Sequence, residues 1–300
     1  MRSLSACGSV RWGVLNRLAG DDNTASWSRK RRDARRRGGS SRTVWEAGDM
    51  ESGGIWVGCA GWSIPREHAD QFAPGESQLA RYSTRFATVE INSSFYRPHQ
   101  PATYTRWAAT TPAEFRFAVK APRVVTHERR LREAKEPLGR FFAEAGALGA
   151  KLGPVLVQLP PGLAFDAAVV AAFWQQVRDH CPGPIVCEPR HPSWFGDAAD
   201  RLLQSWEVAR VAADPPPAPH ADVPGGWAGV RYIRLHGSPR MYYDAYAAPY
   251  LERLAQRLID MSQRAAVWCI FDNTAAGAAT ANALTLLERL HDRSGPEGII

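Results

Sequence analysis

The sequence predicts an α/β fold of the (β/α)8 barrel class, with one helix-poor connection between the sixth and seventh strands. Three observations support this. Eight short strand-like runs alternate with mostly helical connections over about 250 residues, the usual span of such a barrel. Most runs are apolar on one face and carry one or two polar or charged residues near the C-terminal end, the first, IWVGCAGW, being the exception. No G-x-G-x-x-G follows the first run, so the main signature of an open doubly wound sheet is missing. A chain of 300 residues, 45% of them hydrophobic, has ample material for a core.

Taken in order, Ile55 to Trp62 (IWVGCAGW) is a short apolar strand ending in glycine. Gln78 to Phe86 has helical spacing and leads into a strand at Thr88 to Asn92. In that strand Val89 and Ile91 face one way, Glu90 and Asn92 the other. Pro101 to Thr110 is a short helix with proline in its first turn. Phe115 to Ala121 is the third strand. Pro137 to Leu152 is helical and is stopped by Gly153-Pro154 before the fourth strand, Val155 to Leu159. Asp166 caps a helix running to His180. Ile185 to Glu188 is the fifth strand, Asp197 to Trp206 a helix, and Val208 to Ala213 the sixth strand. Pro215, Pro216, Pro217, Pro219 and Pro224-Gly-Gly then leave no room for a helix. Arg231 to Leu235 is the seventh strand and Ala266 to Phe271 the eighth. They are separated by a helix at Asp244 to Gln263 and followed by one at Thr274 to Leu290.

The formal charge of +7 is concentrated at one end. Residues 1–49 hold 11 Lys/Arg and 5 Asp/Glu, a net of +6, which leaves +1 for the rest. Global charge therefore gives no nucleic-acid footprint. The run RKRRDARRRGGSSR (Arg29 to Arg42) has no sustained helical or strand period. Residues 1–49 are accordingly expected to be a disordered basic arm, or a mis-assigned start ahead of Met50. Residues 50–300 are expected to form a single barrel domain. Contact with nucleic acid enters only through that arm. The five cysteines are scattered and contain no C-x-x-C pair, as expected of a protein in the reducing cytoplasm. No apolar run approaches the ~18 residues a membrane span needs.

In such a barrel the loops at the strand C-termini build the site. Reading the alternation inward gives Glu90 and Asn92, Lys120, Gln158, Glu188 and Arg190, Asp214, Arg234 and His236, and Asp272 and Asn273. The loops add Tyr96, Arg123, His127, His191 and Trp194. Mixed signs in one mouth suit a small polar, anionic ligand. Lys120, Arg123, Arg190 and Arg234 suit its carboxylate or phosphate. Glu90, Glu188, His236 and Asp272 are the candidate catalytic groups, acting as acid or base where burial shifts their titration. Trp62, Phe95, Tyr96 and Trp194 offer stacking faces. For Glu90 and Arg234, an internal ion pair is the competing structural role. Asn273 and Thr274 can equally cap the next helix. An alternative is a metal-dependent sugar-isomerase-like or endonuclease-like enzyme using Glu90, Glu188, His236 and Asp272. No H-E-x-x-H or close histidine pair supports it, so no metal ligand is assigned. A further alternative is a non-catalytic binder of nucleotide or nucleic acid. The cofactor is left open, because no P-loop or G-x-S-x-G is present.

Seven ordered motifs resemble the YecE-like family, also called domain of unknown function 72. They are GCAGWS (Gly58 to Ser63), EINSSFY (Glu90 to Tyr96), FAVKAPRVVTH (Phe117 to His127), VQLPPG (Val157 to Gly162), CEPRHPSW (Cys187 to Trp194), YIRLHG (Tyr232 to Gly237) and FDNT (Phe271 to Thr274). The resemblance implies a TIM-barrel-like fold and carries over no established activity.

Overall fold

The computed structural model describes residues 54–294, so the basic arm at residues 1–49 lies outside the described residues. The strands are β1 (Ile55–Ala60), β2 (Thr88–Ile91), β3 (Arg116–Lys120), β4 (Leu152–Gln158), β5 (Ile185–Glu188), β6 (Val208–Arg210), β7 (Ala212–Asp214), β8 (Gly225–Gly226), β9 (Val230–Leu235) and β10 (Ala266–Phe271). The helices are α1 (Gln78–Tyr82), α2 (Ser93–Tyr96), α3 (Pro101–Thr110), α4 (Lys135–Ala145), α5 (Ala167–His180), α6 (Asp197–Ser205), α7 (Ala248–Ser262) and α8 (Ala278–Ser294).

The strands form one sheet in the order β7-β9-β10-β1-β2-β3-β4-β5-β6-β8. Every pairing is parallel except β6 with β8. The chain passes from β6 to β7 across the single residue Val211, although the two lie at or near opposite ends of that order. Ala209 pairs with Val186 of β5, while Ala213 pairs with Arg234 of β9. The sheet is therefore bent into a nearly closed barrel. Because its principal strands are parallel, their C-terminal ends share one rim. Residues 215–229 contain no helix, only turns and the short β8.

Both faces of the strands are buried, as a parallel sheet requires. Outside, Val57, Val89, Phe117, Val155 and Phe271 pack under helix residues such as Leu258. Inside, Trp56, Leu156, Val186, Tyr232, Trp268 and Ile270 form a second core. Trp56 and Trp268 stack with centroids 5.4 Å apart, and Tyr232 lies parallel to Trp268 at 6.3 Å. Gly153 makes this arrangement possible, since a β-carbon there would sit 2.5 Å from the Trp268 ring. A fully buried Leu or Phe contributes roughly 1.5–3 kcal/mol, so two such cores can offset the expense of a charged layer above the inner one.

Asp166 caps α5 as expected, accepting from the Ala168 and Val169 amides at 3.1 and 3.2 Å. Two helices begin four residues later than the sequence spacing predicts. The Asp244 carboxylate instead accepts from the Arg240 amide at 2.9 Å and closes a loop ahead of α7. Before α8 the chain turns through Gly277, whose φ of +81° is left-handed. The segment expected to be one helix up to Leu152 is α4, followed by a 3₁₀ turn at Gly146–Lys151. Leu152 already belongs to β4.

Candidate active site

Side chains alternate along each strand, so the inner face that carries Trp56, Leu156 and Trp268 low in the barrel carries polar residues at its upper rim. Glu90 of β2, Glu188 at the end of β5, Arg234 of β9 and Asp272 just past β10 meet there in one network. Arg234 is wholly buried and serves three carboxylates. Its Nε donates to Glu90 Oε2 at 3.0 Å and its Nη2 to Glu90 Oε1 at 2.6 Å. Nη1 donates to Glu188 Oε2 at 2.6 Å, and Nη2 also reaches Asp272 Oδ2 at 3.0 Å. His236 bridges the two outer carboxylates, with Nδ1 3.0 Å from Asp272 Oδ2 and Nε2 3.1 Å from Glu188 Oε1. Arg190 donates to Glu188 Oε1 from Nε at 2.9 Å and from Nη2 at 2.6 Å. Asn92 Nδ2 approaches Asp272 Oδ1 at 3.4 Å, while its own carbonyl oxygen is buried without a partner.

The electrostatics follow from this packing. Burial pushes the Glu188 carboxyl up, but Arg234, Arg190 and His236 together outweigh it and hold the group well below the usual carboxylate range. Burial likewise opposes the ionised form of Asp272, and Arg234 and His236 again reverse the balance downward. Lys120 behaves differently. It is 8% exposed, and its Nζ lies 4.4 Å from the centroid of the Phe95 ring. Its backbone carbonyl accepts from the Ser94 hydroxyl at 2.7 Å, but among the described residues its Nζ has no hydrogen-bond or ion-pair partner. Burial, then the nearby Arg234 charge, lowers it to about 8 against the opposing pull of Glu90, Glu188 and Asp272. His127 meets the same Phe95 ring edge-on at 5.0 Å and has its Nδ1 2.8 Å from the Thr126 hydroxyl. Burial, then Lys120, Arg123 and Arg190, favours its neutral form.

The sequence-predicted residues thus fall into two groups. Glu90, Asn92, Lys120, Glu188, Arg190, Arg234, His236 and Asp272 come together at the rim, with His127 beside Lys120. Gln158 ends β4 in register with Glu188 and makes no hydrogen bond within the network. The others are engaged elsewhere. Asp214 follows Ala212, which packs in the outer core, and it accepts from the Tyr246 hydroxyl at 2.9 Å. Asn273 donates to the Asp244 carbonyl and to Asn282 Oδ1, both at 3.0 Å. Trp194 is fully buried and donates to the Leu163 carbonyl at 2.8 Å. Arg123 pairs with Glu128 at 3.1 Å on the surface, and Tyr96 is 73% exposed. A cavity of about 310 Å³ is bordered by Phe95, Tyr96, Tyr104, Arg123 and Phe141, and no residue of the Arg234 network lines it.

Two participants were not anticipated. The Tyr232 hydroxyl donates to Glu90 Oε2 at 2.9 Å, joining the apolar layer to the charged one. Its place two residues before Arg234 on the same strand face was the available signal. Tyr242 sets its ring edge against His236 at 5.8 Å from a left-handed backbone, φ +71°. Nothing in the local sequence pattern indicates that loop path. The metal-dependent alternative finds no ligand set. The carboxylates converge on a guanidinium, and among the described residues no group of three or more His, Cys, Asp or Glu is arranged to hold a metal ion.

Comparison with known proteins agrees with the fold. The family model described as "Protein of unknown function DUF72" matches residues 56–297. The UPF0759 protein YecE of Escherichia coli (strain K12) is 28% identical over 179 residues, covering 56% of this chain and 63% of that protein. The UPF0759 protein YunF of Bacillus subtilis (strain 168) is 26% identical over 271 residues, covering 79% of this chain and 94% of that protein. Among solved structures, a DUF72 family protein from Enterococcus faecalis superposes with a TM-score of 0.67 at 23% identity, covering 79% of this chain and 95% of that one. One from Thermotoga maritima gives a TM-score of 0.66 at 23% identity, covering 79% and 99%. No helix among the described residues is long and apolar enough to cross a membrane.

Proposed function

The chain belongs to the protein family of unknown function DUF72, and from that premise we propose that it is an enzyme acting on a small polar, anionic molecule at the C-terminal mouth of the barrel. The observation that carries this reading is Lys120. Its side chain is largely buried, yet among the described residues no group is hydrogen-bonded to its Nζ, which leaves the ammonium free to take a ligand's acceptor. Each carboxylate near Lys120 is already engaged by Arg234. A carboxylate or phosphate on a ligand is the acceptor this ammonium lacks. Arg190, which spends Nε and Nη2 on Glu188, has Nη1 left to share the load.

Within this proposal Arg234, Glu90 and Tyr232 position the other groups. Held so far down, Glu188 is a weak base and a strong orienting anion. It fixes His236 and Arg190, and Asp272 fixes the opposite edge of the imidazole. The groups left to move a proton are His236, Lys120 and, beside it on the Phe95 ring, His127. We further read the barrel as eightfold, with Val208–Asp214 as one kinked strand. A cytoplasmic setting fits the four described cysteines, all free and buried.

The test is a thermal-shift screen of carboxylated and phosphorylated metabolites against the wild type, Lys120→Met and Glu188→Gln. Lys120→Met removes a charge that makes no hydrogen bond or ion pair with another described residue, so the variant should fold. At a hundredfold excess over Kd, a ligand should stabilise the wild type by about 2.7 kcal/mol. That gain should vanish in Lys120→Met, and turnover of the ligand should vanish in Glu188→Gln. If no anion stabilises the wild type, or if both variants behave like it, the reading is wrong.

A further inference from the structure

We propose that Lys120 is a covalent nucleophile, condensing with an aldehyde or ketone that also carries a carboxylate or phosphate and holding it as an imine on Nζ. The inference deepens the proposed function and rests on it for anion recognition. It adds the identity of the reacting group and the class of substrate.

Residue choice is the first support. The chain contains 33 arginines and only 4 lysines: Lys30, Lys120, Lys135 and Lys151. Arginine supplies the other two cations of the network, Arg190 and Arg234. Where fixed positive charge is all that is needed, this chain uses a guanidinium, which does not deprotonate near neutral pH. An ammonium does so when buried. The one lysine at the rim is therefore placed where losing a proton is useful.

Geometry is the second support. Lys120 is 8% exposed as a residue, its Nζ lies over the Phe95 ring, and among the described residues no hydrogen-bond donor occupies its lone pair. Its surroundings bring it to about 8, so an appreciable fraction is the free amine near neutral pH. His127, on the same Phe95 ring, is favoured as the neutral imidazole and can take the proton Lys120 must lose. Glu188, His236 and Asp272 belong to the same rim and are linked to one another by hydrogen bonds.

The chemistry balances without a further reagent. The neutral Nζ lone pair attacks the carbonyl carbon, and the π pair moves to oxygen, which takes up a proton. The resulting carbinolamine expels water as the nitrogen lone pair forms the C=N bond. Overall, the ammonium and the carbonyl compound give a protonated imine and water, with no net gain of protons or electrons. One cation replaces another, so the charge balance with Glu90, Glu188 and Asp272 is kept.

The experiment is reductive trapping on the full-length protein. Pyruvate, glyoxylate, dihydroxyacetone phosphate and glyceraldehyde 3-phosphate are each incubated with the protein, sodium borohydride is added, and intact mass and peptide maps are recorded. The expected result is one adduct per chain, with at least one probe, at Lys120 rather than at Lys135 or Lys151. It should require borohydride, be suppressed by malonate, be absent from Lys120→Arg, and increase as the pH rises through about 8. No adduct at Lys120 with any probe, or equal labelling of Lys135, overturns the proposal. If the probes stabilise the wild type but not Lys120→Met, and still leave no adduct, the imine falls while the anion site stands. If they neither bind nor react, both fall.

Discussion

Replacing Arg234 with methionine should be among the most damaging single changes in the barrel interior. The substitution removes four hydrogen bonds to carboxylates, two of which, Glu90 and Glu188, are 0% and 1% exposed. Glu188 would keep Arg190 and His236, and Asp272 would keep His236. Glu90 would keep only the Tyr232 hydroxyl, so most of the damage falls there. Removing one partner of a buried ion pair costs about 3–5 kcal/mol. Against a total stability of ~5–15 kcal/mol this is a large share. For a domain of this size it should lower Tm by roughly 6–20 °C. Urea denaturation of both proteins measures it directly. The pH dependence adds a second check. Burial alone would raise Glu188 and Asp272, yet Arg234 and their other partners hold both below their unfolded values. Groups depressed in this way contribute stability above the unfolded carboxylate pKa, about 4, and lose it as the pH falls through the folded value. The variant lacks the principal cause of that depression. The gap between the two proteins should therefore be widest near neutrality and narrow on acidification. A gap below about 1 kcal/mol at neutral pH, or one unchanged in acid, would refute the account of a mutually compensated network.

Tyr232→Phe should cost only about 1 kcal/mol in the same assay, because Glu90 Oε2 keeps Arg234 Nε at 3.0 Å. Losses comparable to Arg234→Met would mean that the hydroxyl, and not the guanidinium, holds Glu90. Gly153→Ala forces a β-carbon to within 2.5 Å of the Trp268 ring and should destabilise by about 1–3 kcal/mol, with near-UV dichroism altered at the Trp56–Trp268 stack. Anion choice is the last expectation. Lys120 is the only cation of the cluster with no carboxylate bound to it, so monoanionic carboxylates should bind better than phosphate dianions. Titration calorimetry at fixed salt compares the two, and a clear preference for the dianion would contradict it.

The strand positions were legible because apolar alternation survives burial on both faces. The polar residues near strand ends stand out against it. Glu90, Lys120, Glu188, Arg234 and Asp272 share the inward side with Leu156 and Trp268, and from that parity their meeting follows. Asp214 and Asn273 were harder because they fall on the outward side, where their partners Tyr246 and Asn282 come from later segments. A chain of locally correct strands does not reveal such partners. The late starts of α7 and α8 have a similar cause. In each case a loop hydrogen bond or a left-handed glycine uses up residues whose composition suits a helix. Tyr242 was illegible because its place over His236 depends on a loop path that no periodicity encodes.

The arrangement divides labour between two kinds of cation. Arg234 spends four of its five N–H donors on protein carboxylates, so it fixes those groups in place and has little left for a ligand. Had all the rim cations been arginines bound in this way, the cluster would be a plug closing the barrel and its charges would need no functional explanation. Lys120 breaks that pattern. Its charge sits in a layer where ion pairing is otherwise near-complete, its ammonium lies over an aromatic ring, and its protonation is weakened by burial. A fold under pressure for stability alone would gain by placing an apolar side chain there. The retained amine is the part of the layer that structure does not account for, and the search for a ligand should begin at that atom.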